Sequence, residues 1–251
     1  MNPIIRIAKS FSRRVREKRA LFFRDIFSLN ENTKILDLGS GDGTNINSVL
    51  KGTRVQSKNV YIADIVPEVV AKGSKDFGFT PVIIDESEVI PFSDGYFDIV
   101  YCSSVIEHVT VPKEEVWGLY SGYKFKMASH KRQKGFSKEI KRLGKQYFVQ
   151  TPYKHFPVES HTWLPLFGWL PRQILIPTLC FTNLFWVKGT SPDWYLLDKK
   201  RMLELFSEAQ IIDEKAFGII KSIMAVYTHP SGVNSCKISV ENIARKYGFG
   251  I

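Results

Sequence analysis

The glycine-rich stretch KILDLGSGDGTN, from Lys34 to Asn45, constrains the fold of this 251-residue chain more than any other segment. Its first half is a short apolar run that predicts a buried parallel strand, and three glycines at alternate positions predict the turn that ends this strand. Residues 44–50 are typical of the first turns of a helix. Because glycine tolerates positive φ and has no side chain to clash, such an arrangement lets the backbone and the helix N-terminus approach a ligand closely.

Two acidic residues, Asp37 and Asp42, flank the glycines of this turn. Turns that bind phosphate hold the anion at the helix N-terminus and follow the spacing G-x-G-x-x-G, or end in a lysine. Here the spacing is G-x-G-x-G, no lysine follows, and two carboxylates would repel a pyrophosphate. A ligand that carries an ammonium and a sulfonium, as S-adenosylmethionine does, would be attracted. An ordinary strand-to-helix turn without a ligand is the alternative that this stretch alone leaves open.

Acidic residues also end the next two predicted strands. Residues 59–64 predict a strand that ends at Asp64, 21 positions after Gly43. Doubly wound sheets place at this position the acid that accepts hydrogen bonds from ribose hydroxyls, and a plain surface aspartate is the alternative. Residues 81–85 predict a strand that ends at Asp85. This carboxylate is placed to accept from an adenine amine, although a turn or N-cap aspartate fits the spacing nearly as well.

A fourth, fully apolar strand is predicted to end at Cys102, and the segment SSVIEHV follows it at the edge where open α/β sheets place their ligands. The glycine turn, Asp64, the IPFSDGYFD segment before the fourth strand and VIEHV occur in one order along the chain. Together they resemble the class I S-adenosylmethionine-dependent methyltransferases, in the type 11 group that includes quinone-biosynthesis methyltransferases. The resemblance covers about residues 33–112.

The resemblance implies an enzyme, a methyltransferase with S-adenosylmethionine as its cofactor. It also implies an α/β fold with a doubly wound, Rossmann-like, mostly parallel sheet of seven strands, a C-terminal antiparallel hairpin and a helical insertion or lid. For His108 it favours a structural role at the strand-to-helix turn over a catalytic one. The cofactor-binding residues that it implies are Asp37, Gly39, Ser40, Gly41, Asp42, Gly43, Asp64, Ile65, Asp85, Glu86, Ser103 and Ser104.

The chain departs from that pattern after Pro112. Residues 113–134 are basic and aromatic and predict an insertion at the open end of the sheet, with a helix that resumes at Phe136 and ends at Gly144. Residues 152–192 predict a lid on the substrate side, and the apolar segment 163–187 within them could instead be an interfacial patch at a membrane or buried core. The 15 uncharged residues between Arg172 and Lys188 are too few to span a bilayer, which takes about 20. Along the whole chain we expect a basic amphipathic N-terminal helix in residues 1–30, the methyltransferase-like domain with this insertion and lid in 31–230, and a C-terminal tail in 231–251.

The lid begins with three candidate catalytic residues, His155, Glu159 and His161. An oxygen acceptor would need a base to remove its proton, and His161 is the favoured candidate because it lies in an aromatic loop over the predicted site. A carbon or amine acceptor would need less help, so these side chains need not be essential. No metal is expected, since the sequence shows no cluster with ligand spacing, and the three cysteines are scattered without a C-x-x-C pair.

The net charge of +10 is concentrated in two segments. Residues 1–24 carry eight Lys and Arg against one Glu, and residues 124–145 carry nine against one Glu. The first segment predicts a basic amphipathic helix, which either lies on an anionic membrane surface or packs on the domain. The aromatic residues and lysines of 113–134 are a mixture that can bind RNA, but no RNA-binding motif accompanies them.

These features favour methyl transfer to a small-molecule acceptor, with a lipid-linked or glycan precursor as one candidate. RNA or protein methylation is the first alternative, and a non-catalytic protein that binds the cofactor or a membrane is the second. We expect a cytoplasmic protein, peripheral at the inner membrane face if the basic helix binds lipid, since the scattered cysteines suit a reducing compartment and no secretory signal is visible. The sequence predicts neither the acceptor nor the oligomeric state.

Overall fold

The strands form one seven-stranded sheet in the order β3-β2-β1-β4-β5-β7-β6, in a computed structural model that describes residues 3–39, 41–85, 89–186, 188–228 and 240–251. β7 runs antiparallel to both of its neighbours, and the other strands run in one direction. The predicted fold class, with its C-terminal antiparallel hairpin, is therefore confirmed. The strands are β1 Ile35–Leu38, β2 Val60–Asp64, β3 Thr80–Ile83, β4 Phe97–Ser103, β5 Gly144–Pro152, β6 Gln210–Ala216 and β7 Ile219–Tyr227.

Helices cover both faces of this sheet. They are α1 Pro3–Ile26, α2 Thr44–Leu50, α3 Pro67–Phe77, α4 Gly122–Leu143, α5 Arg172–Thr182, α6 Lys199–Leu205 and α7 Val240–Lys246. The predicted start of α2 after the glycine turn is confirmed. Within the described residues, no helix is long and apolar enough to span a membrane.

Helix α4 begins 14 residues before the position expected from the sequence, at Gly122 instead of Phe136. The side chain of Ser121 caps it by accepting a hydrogen bond from the backbone of Lys124. The buried face of its first half includes two polar residues, Ser129 and Gln133, each fully buried. An apolar period of 3.6 residues is therefore absent there, which is why the sequence predicted an irregular insertion.

Side chains of β1 alternate between the two faces of the sheet. Ile35 belongs to a core that contains residues of α1, α2 and α7, and Leu36 and Leu38 belong to a second core with residues of α4 and α6. The strand is therefore buried on both sides, as the continuous apolar run predicted. Two fully covered faces leave the loops at the strand ends as the place for a ligand.

The C-terminal half of α1 packs into the core, with the Phe22 and Phe23 rings fully buried. The Phe23 ring lies edge-on to Tyr101 of β4 at a centroid distance of 5.3 Å. The Arg19 guanidinium binds Glu214 of β6 through two hydrogen bonds of 3.2 and 2.8 Å. This part of the basic helix therefore docks on the domain, as one of the two alternatives predicted.

Helix α5 forms a small separate core with the segment that follows it, through Leu175, Leu179, Trp194 and Leu196. Arg172, the first residue of α5, links this helix to the segment before α4 and to the segment after α5. Its buried guanidinium donates to the carbonyls of Leu119 and Val116 at 2.6 and 2.5 Å and to the carbonyl of Pro192 at 2.7 Å. Burial lowers the pKa of Arg172 to about 10, although Asp193 opposes this shift. Helix α5 is held by polar contacts to main-chain oxygens as well as by its apolar core.

Candidate functional site

A cleft of about 380 Å³ opens at the carboxyl ends of β1, β2 and β4. Its volume lies in the range typical of small-molecule sites. The sequence-predicted residues that the fold brings together along this cleft are Gly39, Asp64, Ile65, Asp85 and Ser104. Three apolar side chains, Ile84, Ile90 and Val105, complete one side of it.

Asp64 joins two loops of the cleft. Its Oδ2 accepts the N–H of Gly41 at 2.8 Å, and its Oδ1 accepts the N–H of Val66 at 3.1 Å. Each carboxylate oxygen has a second lone pair, so Asp64 can still accept hydrogen bonds from a bound ligand. The acid at the end of β2 therefore holds the glycine turn in place and lines the cleft as well.

Positive φ values along the glycine turn explain why glycine is needed there. Gly39, Gly41 and Gly43 have φ of 76°, 58° and 72°. A Cβ at Gly39 would also lie 2.4 Å from a methyl carbon of Val105, so this position has no room for a side chain. Gly39 is anchored by its N–H, which donates to the carbonyl of Ala63 at 2.8 Å.

Asp42 does not line the cleft, and Lys72 of α3 binds its Oδ2 at 2.8 Å at the surface. Its Oδ1 accepts the N–H of Thr44 at 3.2 Å, in the first turn of α2. The hydrogen bond from Lys72, helped by those from Thr44, lowers the pKa of Asp42 to about 2. Its contacts stabilise the start of α2 and its link to α3.

The remaining cofactor candidates lie around the strand ends. Asp37 is buried in β1, opposite Ile62 of β2. Ser103 donates from its hydroxyl to Gln150 Oε1 at 2.7 Å. Ser104 has a positive φ of 59°, which is strained for a residue with a side chain and is common next to functional sites. Ser40 and Glu86 lie outside the described residues, and Gly43 is buried against Phe79 and Ile62.

A second, wider cavity of about 920 Å³ adjoins the cleft and shares Ser104 and His108 with it. Its wall combines the loop after β5, the segment after α5 and one face of α1. The loop after β5 contributes Tyr153, Glu159, His161 and Trp163, and the segment after α5 contributes Trp186 and Lys188. The lid predicted from the sequence therefore borders a cavity next to the cleft.

His161 is the catalytic candidate with the most defined surroundings. Its Nδ1 lies 2.5 Å from Glu159 Oε1, and its ring stacks on Trp194 with a centroid distance of 5.4 Å. Glu159 is buried and also accepts the backbone N–H groups of His161 and Thr162. Although burial raises its pKa, these donors, above all His161, bring the pKa of Glu159 below its usual value. Glu159 orients the imidazole, whereas His155 is exposed and does not line the cavity.

Glu107 was missed by the sequence analysis, and its side chain is fully buried next to His108, which lines both cavities. Its Oε2 accepts a hydrogen bond from the Thr151 hydroxyl at 2.9 Å, and burial raises the pKa of this carboxyl. The neighbouring His108 has its Nδ1 at 3.3 Å from Asp193 Oδ1. The position of Glu107 beside His108 in the VIEHV segment was the one feature of the sequence that indicated a functional role for this residue.

Comparison with known proteins identifies the domain that carries this cleft. Residues 36–118 match a family described as a methyltransferase domain. This segment is a methyltransferase domain. The match includes the glycine turn, Asp64 and VIEHV, so the resemblance to class I S-adenosylmethionine-dependent methyltransferases is confirmed, and with it the enzyme class and the cofactor. No curated protein matches the chain.

Solved structures agree on the fold. The magnesium protoporphyrin IX methyltransferase of Synechocystis PCC 6803, solved with bound S-adenosylhomocysteine, is 14% identical with a TM-score of 0.52, covering 91% of this chain and 89% of that one. PH0226 from Pyrococcus horikoshii OT3 is 15% identical with a TM-score of 0.51, covering 87% and 91%. A Haloferax volcanii complex of the Trm112 methyltransferase activator with a protein assigned as a methyltransferase gives 14% identity, a TM-score of 0.53 and coverage of 88% and 91%.

The residues of the cleft fit S-adenosylmethionine. Asp64 and Asp85 offer carboxylate oxygens to hydroxyl and amine donors, as an adenosine requires. Ile65, Ile84 and Ile90 line the cleft with apolar surface of the kind that suits an aromatic base. The three glycines of the turn carry no side chains, so the backbone of the turn can lie close to the remaining, non-adenine part of such a ligand.

Proposed function

We propose that this methyltransferase acts on a small acceptor that carries an anionic group and an apolar part, such as a lipid-linked glycan precursor. The observation that carries this proposal is the wide cavity, which adjoins the cofactor cleft and combines basic with aromatic residues. S-adenosylmethionine supplies an electrophilic methyl group on a sulfonium. The protein supplies position, since orientation alone can lower a barrier by about 7–11 kcal/mol.

The charge of the cavity supports an anionic acceptor. Four basic side chains line it against two carboxylates. Arg19 and Glu214 bind each other at 2.8 Å, so this pair adds no net charge, and the other carboxylate, Glu159, accepts from His161. Lys188 lies at the cavity, where its ammonium donates to the Ser160 carbonyl and sits 4.8 Å from the centre of the Trp163 ring, with further N–H groups left to donate to an anion. A phosphate or carboxylate on the acceptor would find a positive site beside an aromatic surface, which also suits a sugar ring.

Exposed apolar side chains continue from the cavity onto the surface of the lid. Phe185 and Trp186 line the cavity, and Phe181 and Leu184, 63% and 81% exposed, lie beside them in sequence. An apolar tail on the acceptor would cover this surface. The same patch would rest on a lipid surface together with the basic helix α1, which supports a peripheral position at the inner, cytoplasmic membrane face.

RNA is a weaker candidate because several cations of the second basic segment already bind the protein. Arg142 donates to Glu139 and Asp94, and Lys145 binds Asp98 at 2.8 Å. Lys141 donates to the Leu205 carbonyl, and Arg132 donates to the Thr110 carbonyl. The count of basic residues in 124–145 therefore overstates the charge that a nucleic acid would meet.

We assign proton removal from a hydroxyl acceptor to His161. Glu159 holds its Nδ1, so the neutral ring carries its lone pair on Nε2. This nitrogen can accept the acceptor's proton as the methyl group is transferred. His155, exposed outside the cavity, has no part in this assignment.

A labelling experiment tests the proposal. The purified enzyme is incubated with S-adenosylmethionine labelled in its methyl group and, separately, with a solvent-extracted lipid fraction rich in lipid-linked glycans, water-soluble sugar phosphates and total RNA. We expect label in the lipid or sugar fraction. Label found only in RNA, or only on protein, would contradict the proposal.

Lys188→Gln is expected to raise the KM for this acceptor by about tenfold, the effect of losing one charge-assisted contact, with little change in the affinity for S-adenosylmethionine. Lys200→Gln, at an exposed position of α6 away from both cavities, serves as the matched control. Steady-state kinetics with the labelled fraction gives both values. Equal KM values for the two variants would show that the acceptor does not reach Lys188.

A further inference from the structure

Three potential metal ligands meet where the two cavities join. Glu107, His108 and His161 each offer one ligand atom, and these atoms lie within 4.8 Å of one another. His161 Nε2 is 4.0 Å from Glu107 Oε1, and the two imidazole rings meet edge to face at a centroid distance of 4.7 Å. His161 follows β5 and the other two follow β4, so the parallel pairing of these strands brings the three together.

Glu107 supplies an oxygen that lacks a partner. Its side chain is fully buried, its Oε2 accepts from Thr151, and its Oε1 has no hydrogen-bond donor among the described residues. Buried carboxylate oxygens are nearly always paired, because leaving one without a donor or a cation is costly. This atom lies 4.0 Å from Nε2 of His161, too far for a hydrogen bond.

Both imidazoles are oriented by a second carboxylate. Asp193 Oδ1 lies 3.3 Å from Nδ1 of His108, and Glu159 Oε1 lies 2.5 Å from Nδ1 of His161. A carboxylate on Nδ1 fixes the proton there and leaves the lone pair on Nε2. This carboxylate–histidine arrangement accompanies metal-binding histidines in most known sites, since it fixes the ring and increases its basicity.

We propose that Glu107, His108 and His161 bind a divalent transition-metal cation at the junction of the two cavities. Two imidazoles and one carboxylate suit Zn²⁺, Mn²⁺ or Fe²⁺, and three protein ligands leave positions open for other molecules. His108 lines both cavities and His161 lines the wide one, so the open positions face the acceptor.

We infer that the cation binds the hydroxyl oxygen of the acceptor, and this second step rests on the proposed function. Binding of the cation to the three residues does not depend on that function. The bound cation lowers the pKa of the hydroxyl, whose proton leaves to solvent. The oxygen then forms a bond to the methyl carbon as the bond from that carbon to sulfur breaks, and a neutral thioether leaves. The cation occupies the Nε2 lone pair of His161, so His161 serves as the base of the proposed function only in the metal-free protein.

For the test, the full chain is freed of metal with EDTA and then titrated with Co²⁺. Binding is measured by calorimetry and by the visible absorption of Co²⁺, which changes when imidazole replaces water as its ligand. We expect one equivalent to bind and His161→Ala and Glu107→Gln each to weaken binding by at least about tenfold. His155→Ala, which removes the exposed histidine of the same loop, is the control and should bind as wild type does. If His161→Ala does not fold, broadening of the wild-type His108 and His161 imidazole resonances by Mn²⁺ answers the same question.

Absence of saturable Co²⁺ binding to the wild type, or equal binding by all variants, would overturn the metal site. Titration of the same samples with S-adenosylmethionine separates the two claims. A chain that binds this cofactor but no cation would refute the metal site alone. A chain that does not bind the cofactor would refute the proposed function, whatever its affinity for Co²⁺.

Discussion

Replacement of Arg19 by methionine is expected to lower the free energy of unfolding by about 3–5 kcal/mol, the usual cost of removing one partner of a buried ion pair. The side chains of Arg19 and Glu214 are only 11% and 3% exposed. Methionine would fill much of the same space but leave the carboxylate of Glu214 buried without its counter-charge. The Arg19 guanidinium also donates to Gln150 at 2.6 Å, so its loss would loosen α1 from β5 as well as from β6. Urea unfolding at pH 7, followed by circular dichroism, measures the change.

Arg13→Met on the same helix is the matched control. Arg13 and Glu17 form an ion pair at 3.7 Å, but their side chains are 72% and 64% exposed. Water and salt screen such a pair, which typically contributes at most about 1 kcal/mol. Equal effects of the two substitutions would mean that α1 does not dock on the sheet through Arg19.

Gly39→Ala is expected to destabilise the protein by about 2–5 kcal/mol and to abolish saturable binding of S-adenosylmethionine. A φ of 76° is unfavourable for alanine, and its Cβ would lie 2.4 Å from Val105. The glycine turn would have to move, and with it the hydrogen bond from Gly41 to Asp64 in the wall of the cleft. Thermal unfolding and calorimetry of the purified variant measure the two effects.

Gly41→Ala separates backbone strain from lack of space. Gly41 also has a positive φ, 58°, but among the described residues beyond its two chain neighbours no heavy atom lies within 4 Å of the position that its Cβ would take. We expect a loss of only about 1–2 kcal/mol from strain. If Gly39→Ala were as stable as Gly41→Ala, Val105 would not pack against the turn as described.

The parts of the fold that the sequence predicted are those determined by neighbouring residues. The apolar run of β1, the glycine turn and the start of α2 form one local pattern, and the acid at the end of β2 follows at a fixed spacing. Because the ends of parallel strands meet at one edge of the sheet, that spacing was enough to place Asp64 beside the glycine turn. Asp85 and Ser104 reach the same cleft for the same reason.

The parts that it could not predict depend on tertiary contacts. The start of α4 could not be predicted because its buried face is partly polar. Gln133, for example, is buried where it donates hydrogen bonds to the carbonyls of Ile106 and Tyr195, so no apolar period marks the helix there. The cluster of Glu107, His108 and His161 spans 53 residues between its last two members, so no ligand spacing exists to be seen. Whether a lysine or arginine is free or bound to the protein, as Arg142 is, likewise becomes clear only in three dimensions.

The most direct test of this account is titration calorimetry of the wild type, Asp64→Ala and Asp76→Ala with S-adenosylmethionine and S-adenosylhomocysteine. Asp76 is an acid of α3 that pairs with Lys72 at the surface and does not line the cleft, so its variant controls for the loss of a charge. We predict saturable micromolar binding of both ligands to the wild type and to Asp76→Ala, and its loss in Asp64→Ala. No binding to folded wild-type protein, or equal binding by all the proteins, would contradict the assignment of this cleft to the cofactor.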